Sequence, residues 1–340
     1  MSRFQKIFLI LPLLALILVD CGIAHAKPKY LFKVATLAPD GSVWMKRFNE
    51  FVDEISEKSN GEIGFRIYPG GVMGDDKSMY RKMRVGQLQG GGFTMTGIGD
   101  VVPEYRIMGI PFLFRSYEEV DAVRQQLWPD FKKAFEKKGL ALIAFSEVGF
   151  IYPMSSYSIA TVEDLKKCKC WVPEGDPLSL AYLNTIGITP IQLTIADVLS
   201  SLQTGMVDTV FNGFYGAIVL QWFTKTNYIS DTPFGYAYGA FLLDLKQFSK
   251  LPPDYQSLIE STAQKHFTVL LEDTRKSNKE SLAVLEQNGL KLVEPNPNDL
   301  KELHKYRDMM VEKVLGGDIP KDMYDKLVQA LKEVRSHSNH

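Results

Sequence analysis

Cysteine is nearly absent: the 340 residues contain three, and Cys21 lies in the N-terminal apolar segment. Cys168 and Cys170 are too few for the disulfide framework that staples small exported domains. In an extended strand, residues two apart have Cα atoms about 6.5–7 Å apart, the upper limit for a bridge. Two reduced apolar side chains are the simpler reading, and a strained bridge stays open. Histidine is scarce too, five in all. His266 and His304 fall in charged helical stretches, and His337 and His340 in a polar tail, so solvated surface positions are expected. H-E-x-x-H, G-x-S-x-G, a P-loop and a strand-borne G-x-G-x-x-G are all missing. No phosphate-binding lysine follows Gly90-Gly91-Gly92 or Gly97-x-Gly99, and tight entry of a strand accounts for these glycines better. Asp75-Asp76 lacks the alternating oxygen ligands of a calcium loop. Like Glu118-Glu119, it fits a helix start, where the helix dipole favours negative charge. No metal, cofactor or catalytic constellation is expected, and the chain reads as a protein that is not an enzyme.

An excess of either charge is also lacking. Lys and Arg total 39 against 40 Asp and Glu, so no long-range field draws in nucleic acid or an anionic membrane. Long apolar runs are absent. Phe8–Val19 is shorter than the roughly 20 residues a bilayer span needs. With Arg3 and Lys6 before it and Ala24-His25-Ala26 after it, residues 1–26 read as a secretory signal peptide cleaved after Ala26. Asp20, directly before Cys21, argues against lipid attachment there. The expected product is periplasmic, does not insert in the membrane, and is long enough for about two domains.

What is present is alternation of strand and helix. An apolar strand at Tyr30–Thr36 runs into a loop at residues 37–42. Trp44, Phe48, Phe51, Val52 and Ile55 then mark one helical face, which Asn60-Gly61 ends. Further strands are expected at 63–68, 141–145, 170–172, 209–211 and 240–243, with a helix at 77–88 and a short apolar segment at 93–98. This pattern argues for open α/β sheets with ligands at the carboxyl ends of the strands. From Pro253 to Asn288 the chain has neither further Pro nor Gly. A helix of that length spans about 45 Å or more, enough to lie across two lobes.

Six segments recur in a known order. They are Leu37-Ala38-Pro39-Asp40-Gly41-Ser42-Val43-Trp44, Tyr68-Pro69-Gly70-Gly71-Val72-Met73-Gly74 and Pro111-Phe112-Leu113-Phe114-Arg115. Asp164-Leu165-Lys166 with Val172-Pro173, Gly187-Ile188-Thr189-Pro190, and Leu202-Gln203-Thr204-Gly205-Met206-Val207-Asp208 complete the set. Over residues 30–290 the chain resembles the substrate-binding subunits of TRAP (tripartite ATP-independent periplasmic) transporters. The resemblance implies an α/β, two-lobed periplasmic solute-binding fold with crossing strands, a long helix spanning both lobes, and a ligand enclosed by hinge closure. It also implies an integral membrane secondary transporter, driven by an ion gradient, as partner. The expected division is lobe I at 27–148 and 237–252, lobe II at 149–236 and 290–335, and the spanning helix at 253–289.

The chain departs from the family where the family holds a carboxylate. In D-L-K-G-x-K-x-R-x-P, Trp171 stands in the arginine's place, and Ile151 follows Gly149-Phe150 where a second arginine is common. The family's pocket asparagine is matched by Asn212. An arginine fork gives two charge-assisted bonds to a carboxylate, and a buried carboxylate without one costs several kcal/mol. Trp171 offers about 150–250 Å² of largely apolar surface instead. The expected ligand is therefore small and neutral, apolar or aromatic. The alternative is an organic acid held by another cation such as Lys169, which shares a strand face with Trp171, or service to a different transporter or sensor. Candidate binding residues are Asp40, Thr94, Thr96, Phe150, Ile151, Trp171, Pro173, Asn212, Phe214, Tyr215 and Tyr236.

Overall fold

A computed structural model describes residues 27–337. The signal-peptide reading, with cleavage after Ala26, therefore falls outside the described residues. In chain order the elements are β1 (Tyr30–Thr36), α1 (Val43–Lys58), β2 (Ile63–Tyr68), α2 (Asp76–Arg84), β3 (Gly90–Thr94), α3 (Met95–Gly99), a 3-10 segment (Pro103–Gly109) and α4 (Tyr117–Glu136). Then follow β4 (Leu140–Ser155), α5 (Val162–Leu165), β5 (Trp171–Pro173), α6 (Pro177–Ile186), β6 (Ile191–Leu193), α7 (Val198–Thr204), β7 (Thr209–Asn212), α8 (Phe214–Val219) and β8 (Tyr228–Ser230). The last are β9 (Gly235–Asp244), α9 (Leu245–Phe248), α10 (Pro253–Gln287), β10 (Lys291–Val293), α11 (Pro297–Val314) and α12 (Lys321–His337).

Two long antiparallel strands, β4 and β9, join the lobes. The sheet order is β10-β8-β4-β9-β3-β1-β2, with β7 also on β4. β1 pairs β2 and β3 in parallel, and these with β3 on β9 build the first lobe. The far end of β4 carries β7 and β8 of the second. β4 slips register against β9 between Leu142 and Ala144 and between Glu147 and Gly149. At the second slip Gly149 takes φ +100°, and a Cβ there would lie 2.7 Å from the Tyr117 hydroxyl. Only glycine fits at this crossing.

α1 forms as its periodicity predicts. Ser42 caps it by accepting from Met45 N, and Phe48, Phe51 and Ile55 are buried. They pack with Phe241 and Phe267 in the first lobe's aromatic core. α10 is 35 residues long, about 52 Å at 1.5 Å per residue. It packs on α1, on β4 and on α8, and so lies along both lobes.

Several expectations need correction. The short apolar segment at 93–98 is the end of β3 followed by α3, and Gly90–Gly92 lie within β3 itself and not at its entry. His266 is not a solvated surface residue: it is buried between α1 and α10, its Nε2 2.6 Å from Glu54. Residues 290–335 do not all side with the second lobe. α11 packs on α6, but α12 lies on α4 and the 3-10 segment of the first, where Arg335 forks Glu119. Cys168 and Cys170 agree with the simpler reading: both are free thiols, the first half-buried and the second buried.

Candidate functional site

Where β4 and β9 cross, the lobes face each other around a cavity of about 230 Å³. The first lobe contributes Thr36 at the end of β1, Trp44 in the first turn of α1, and Thr94 and Thr96 at the β3–α3 junction. The second contributes Pro173 after β5, and Phe211 and Asn212 in β7, while Ser146, Val148 and Ile151 of β4 line the crossing. Contacts close the lobes around it. Lys77 Nζ lies 3.1 Å from Glu174 of the second lobe and 3.7 Å from Asp100 of the first. On the other side Val43 N donates to the Tyr215 hydroxyl at 2.9 Å.

Seven of the eleven candidates line the cavity: Thr94, Thr96, Ile151, Trp171, Pro173, Asn212 and Tyr236. They do so unequally. Trp171 is only 3 % exposed; its Nε1 donates to Leu193 O and its ring stands edge-on to Trp222 at 5.1 Å. Most of its surface is therefore already spent on the second lobe's core. Tyr236 is 1 % exposed, and its hydroxyl donates to Glu147. It supports the wall rather than presenting a free group.

The other four candidates lie elsewhere. Asp40 is exposed in its loop and accepts from Gly41 N. Phe150 points away from the cavity because it alternates with Ile151 along β4, and it packs on Tyr117 and Tyr236. Phe214 stacks on Tyr152 with centroids 4.2 Å apart. Tyr215 bridges to α1 as above. Lys169 is exposed and donates to Gly205 O, away from the cavity. Trp44, Ser146, Val148, Phe211 and Phe234 were not anticipated. For Trp44 a signal existed, since it closes the first quoted motif directly after the loop.

The electrostatics are one-sided. Among the described residues, no Lys, Arg or His side chain lines the cavity; the ionisable carboxyls there are Glu147 and Asp176. The Glu147 side chain is fully buried, and burial pushes its carboxyl up although Arg275 opposes the shift. Arg275 Nε donates to Glu147 at 2.8 Å, while its two terminal nitrogens reach Asp121 at 2.7 and 2.8 Å. The Tyr117 ring lies 4.3 Å beneath it. This guanidinium is committed to two carboxylates. Asp176 caps α6, accepting from Leu178 N and Ser179 N, and burial pushes it up as well. Asp76, behind Thr94, is driven up to about 6 by burial, against hydrogen bonds from Thr94 N and Thr94 Oγ1. Asn212 Oδ1 accepts from Gly213 N. Its Nδ2 has no hydrogen-bond partner among the described residues.

Two lobes on crossing strands, a helix along both and a cavity between the lobes are the architecture of a solute-binding protein. Residues 34–316 match the DctP family, bacterial extracellular solute-binding protein, family 7, and the chain belongs to that family of TRAP substrate-binding proteins. It is 25 % identical over 224 residues to the 2,3-diketo-L-gulonate-binding periplasmic protein YiaO of Escherichia coli, covering 64 % of this chain and 66 % of that one. It is 21 % identical over 240 residues to the C4-dicarboxylate-binding periplasmic protein DctP of Rhodobacter capsulatus, covering 70 % and 72 %. The sugar acid binding protein of Advenella mimigardefordensis, solved with galactonate, superposes with a TM-score of 0.84 at 20 % identity, over 91 % of this chain and 99 % of that one.

Proposed function

We propose that this chain captures a small, uncharged, largely apolar or aromatic molecule between its lobes and delivers it to an integral membrane secondary transporter. The observation that carries this reading is the cavity wall, which has Trp44, Ile151, Phe211 and Phe234 but no basic side chain among the described residues. A carboxylate enclosed there would meet Glu147 and Asp176 and no counter-charge, a penalty of several kcal/mol. The lobes divide on β4 near Gly149 and on β9 near Tyr236, with the positive φ and register slip at Gly149 supporting a hinge at that point.

The relatives favour a second reading, binding of an organic acid, since the proteins named above take a diketogulonate, C4-dicarboxylates and galactonate. Lys169 is not placed to clamp such a ligand. The acid would rest on neutral donors such as Asn212 Nδ2, and hydrogen bonds to a charged group are worth about 1.5–3 kcal/mol each.

Thermal-shift titration of the refolded, ligand-stripped protein separates the readings, because stabilisation follows ligand concentration over Kd. Neutral aromatic compounds are expected to raise the midpoint, and galactonate or succinate to leave it in place. A large shift with either acid overturns the first reading. Ile151→Arg sharpens the test by putting a guanidinium on the wall at a partly exposed position. The variant should gain acid binding and lose the neutral ligand by about tenfold or more, as a charge-assisted bond appears.

A further inference from the structure

We propose that Tyr215 is the latch that holds the cleft closed over its ligand. The inference rests on enclosure of a ligand between the lobes, as proposed above, and not on that ligand's polarity. Tyr215 stands at the start of α8 in the second lobe and does not line the cavity. Its hydroxyl accepts from Val43 N at 2.9 Å, and Val43 is the first residue of α1 in the first lobe. The first amides of a helix have no partner within it. Ser42 takes Met45 N, so the Val43 amide is capped from the opposite lobe, and opening the cleft must break that bond.

The ring adds a second contact. It meets Trp44 edge-on, with centroids 5.2 Å apart, and Trp44 is itself a cavity wall. Trp44 Nε1 in turn donates to Glu147 O on the crossing strand. The base of the latch is anchored: Tyr215 N donates to Asn278 Oδ1 on α10 at 3.0 Å. Asn278 Nδ2 donates to Val148 O, beside Gly149. One asparagine thus ties the latch to the spanning helix and to the crossing strand, while the phenol reaches across the cleft to α1. A contact made only on closure slows ligand release and leaves encounter unaffected.

The test is release of N-phenyl-1-naphthylamine, a neutral aromatic fluorophore, followed by stopped flow from the wild type and from Tyr215→Phe. Loss of one net hydrogen bond predicts release about 2- to 10-fold faster. The association rate and the ligand-free melting midpoint should be unchanged. Tyr215→Ala, which also removes the ring, should release faster still. Unchanged release in Tyr215→Phe overturns the latch, as does a loss of ligand-free stability matching the change in rate. If the wild type binds galactonate and not the fluorophore, the neutral-ligand reading has failed, and the same comparison is made with galactonate. Amide exchange at Val43 is measured by NMR in the protein saturated with whichever compound the thermal-shift panel returns. Protection in the wild-type complex that drops in the Tyr215→Phe complex supports the latch, and an unprotected Val43 amide in the wild-type complex overturns it.

Discussion

Asp76 holds its proton more tightly in the folded protein than in the unfolded chain, because burial lifts its carboxyl from the ordinary 3.8 to about 6. The sign follows from linkage: its stabilising contribution is complete below about pH 4 and is lost as pH rises through 6. Full loss corresponds to ~3 kcal/mol. Asp76→Asn cannot ionise, and its amide replaces the protonated oxygen beside Thr94. Between pH 5 and 7.5 the wild-type melting midpoint should fall relative to that of Asp76→Asn, and the variant should be at least as stable at pH 7.5. Parallel profiles would refute the assignment. At this scale the sequence was only partly legible. Asp75 and Asp76 read correctly as a helix start, with Asp75 accepting from Ser78 N, but nothing local showed that α3 would seal Asp76 from water. Trp171 poses the same difficulty. Its identity was informative, yet how much of it the second lobe's core consumes depends on Trp222, about fifty residues along the chain.

Helices of two or more turns with an apolar face were the elements most open to sequence reading, as α1 and α10 show. β4 was not. Only residues 141–145 read as a strand, because Glu147 and Gly149 interrupt its apolar run, yet the strand continues to Ser155 through two register slips. The β3–α3 junction was not legible as strand or helix, because a short apolar run has no decisive period. What allows a carboxyl side chain inside β4 is a partner from a distant helix. Arg275 on α10 pairs with Glu147 and with Asp121 on α4, joining three elements. Replacing Arg275 with Met leaves the Glu147 carboxyl buried without its cation, and unfolding in urea should show a loss of up to about 3–5 kcal/mol. Glu147→Gln in the same chain should restore part of that loss, because the partners are coupled. Strictly additive losses would mean that the pair does not act as a unit.

For the whole molecule, six ordered motifs made the two-lobed architecture readable, whereas the cavity lining depends on how the lobes meet, and no local pattern reports that. Phe214 and Tyr215 show the consequence: they follow Asn212 by two and three residues, yet neither lines the cavity. The lobes' meeting edge also carries the ion pair of Lys77 with Glu174, whose side chains are 36 % and 48 % exposed. An exposed pair of this kind is worth about 0.2–1 kcal/mol, so it biases closure without determining it. Lys77→Glu would set a third carboxylate against Glu174 and Asp100, replacing attraction with repulsion when the lobes close. Ligand affinity, measured by titration calorimetry with whichever compound the thermal-shift panel returns, should fall by about 3- to 10-fold in low salt. At 1 M salt, where the screening length is about 3 Å, most of that difference should vanish. Exchanging the charges with Lys77→Glu and Glu174→Lys together should restore affinity, since the attraction then runs the other way across the same gap. A deficit that persists in high salt, or in the charge-swapped chain, would place the effect of Lys77 in the folding of α2 and not in closure.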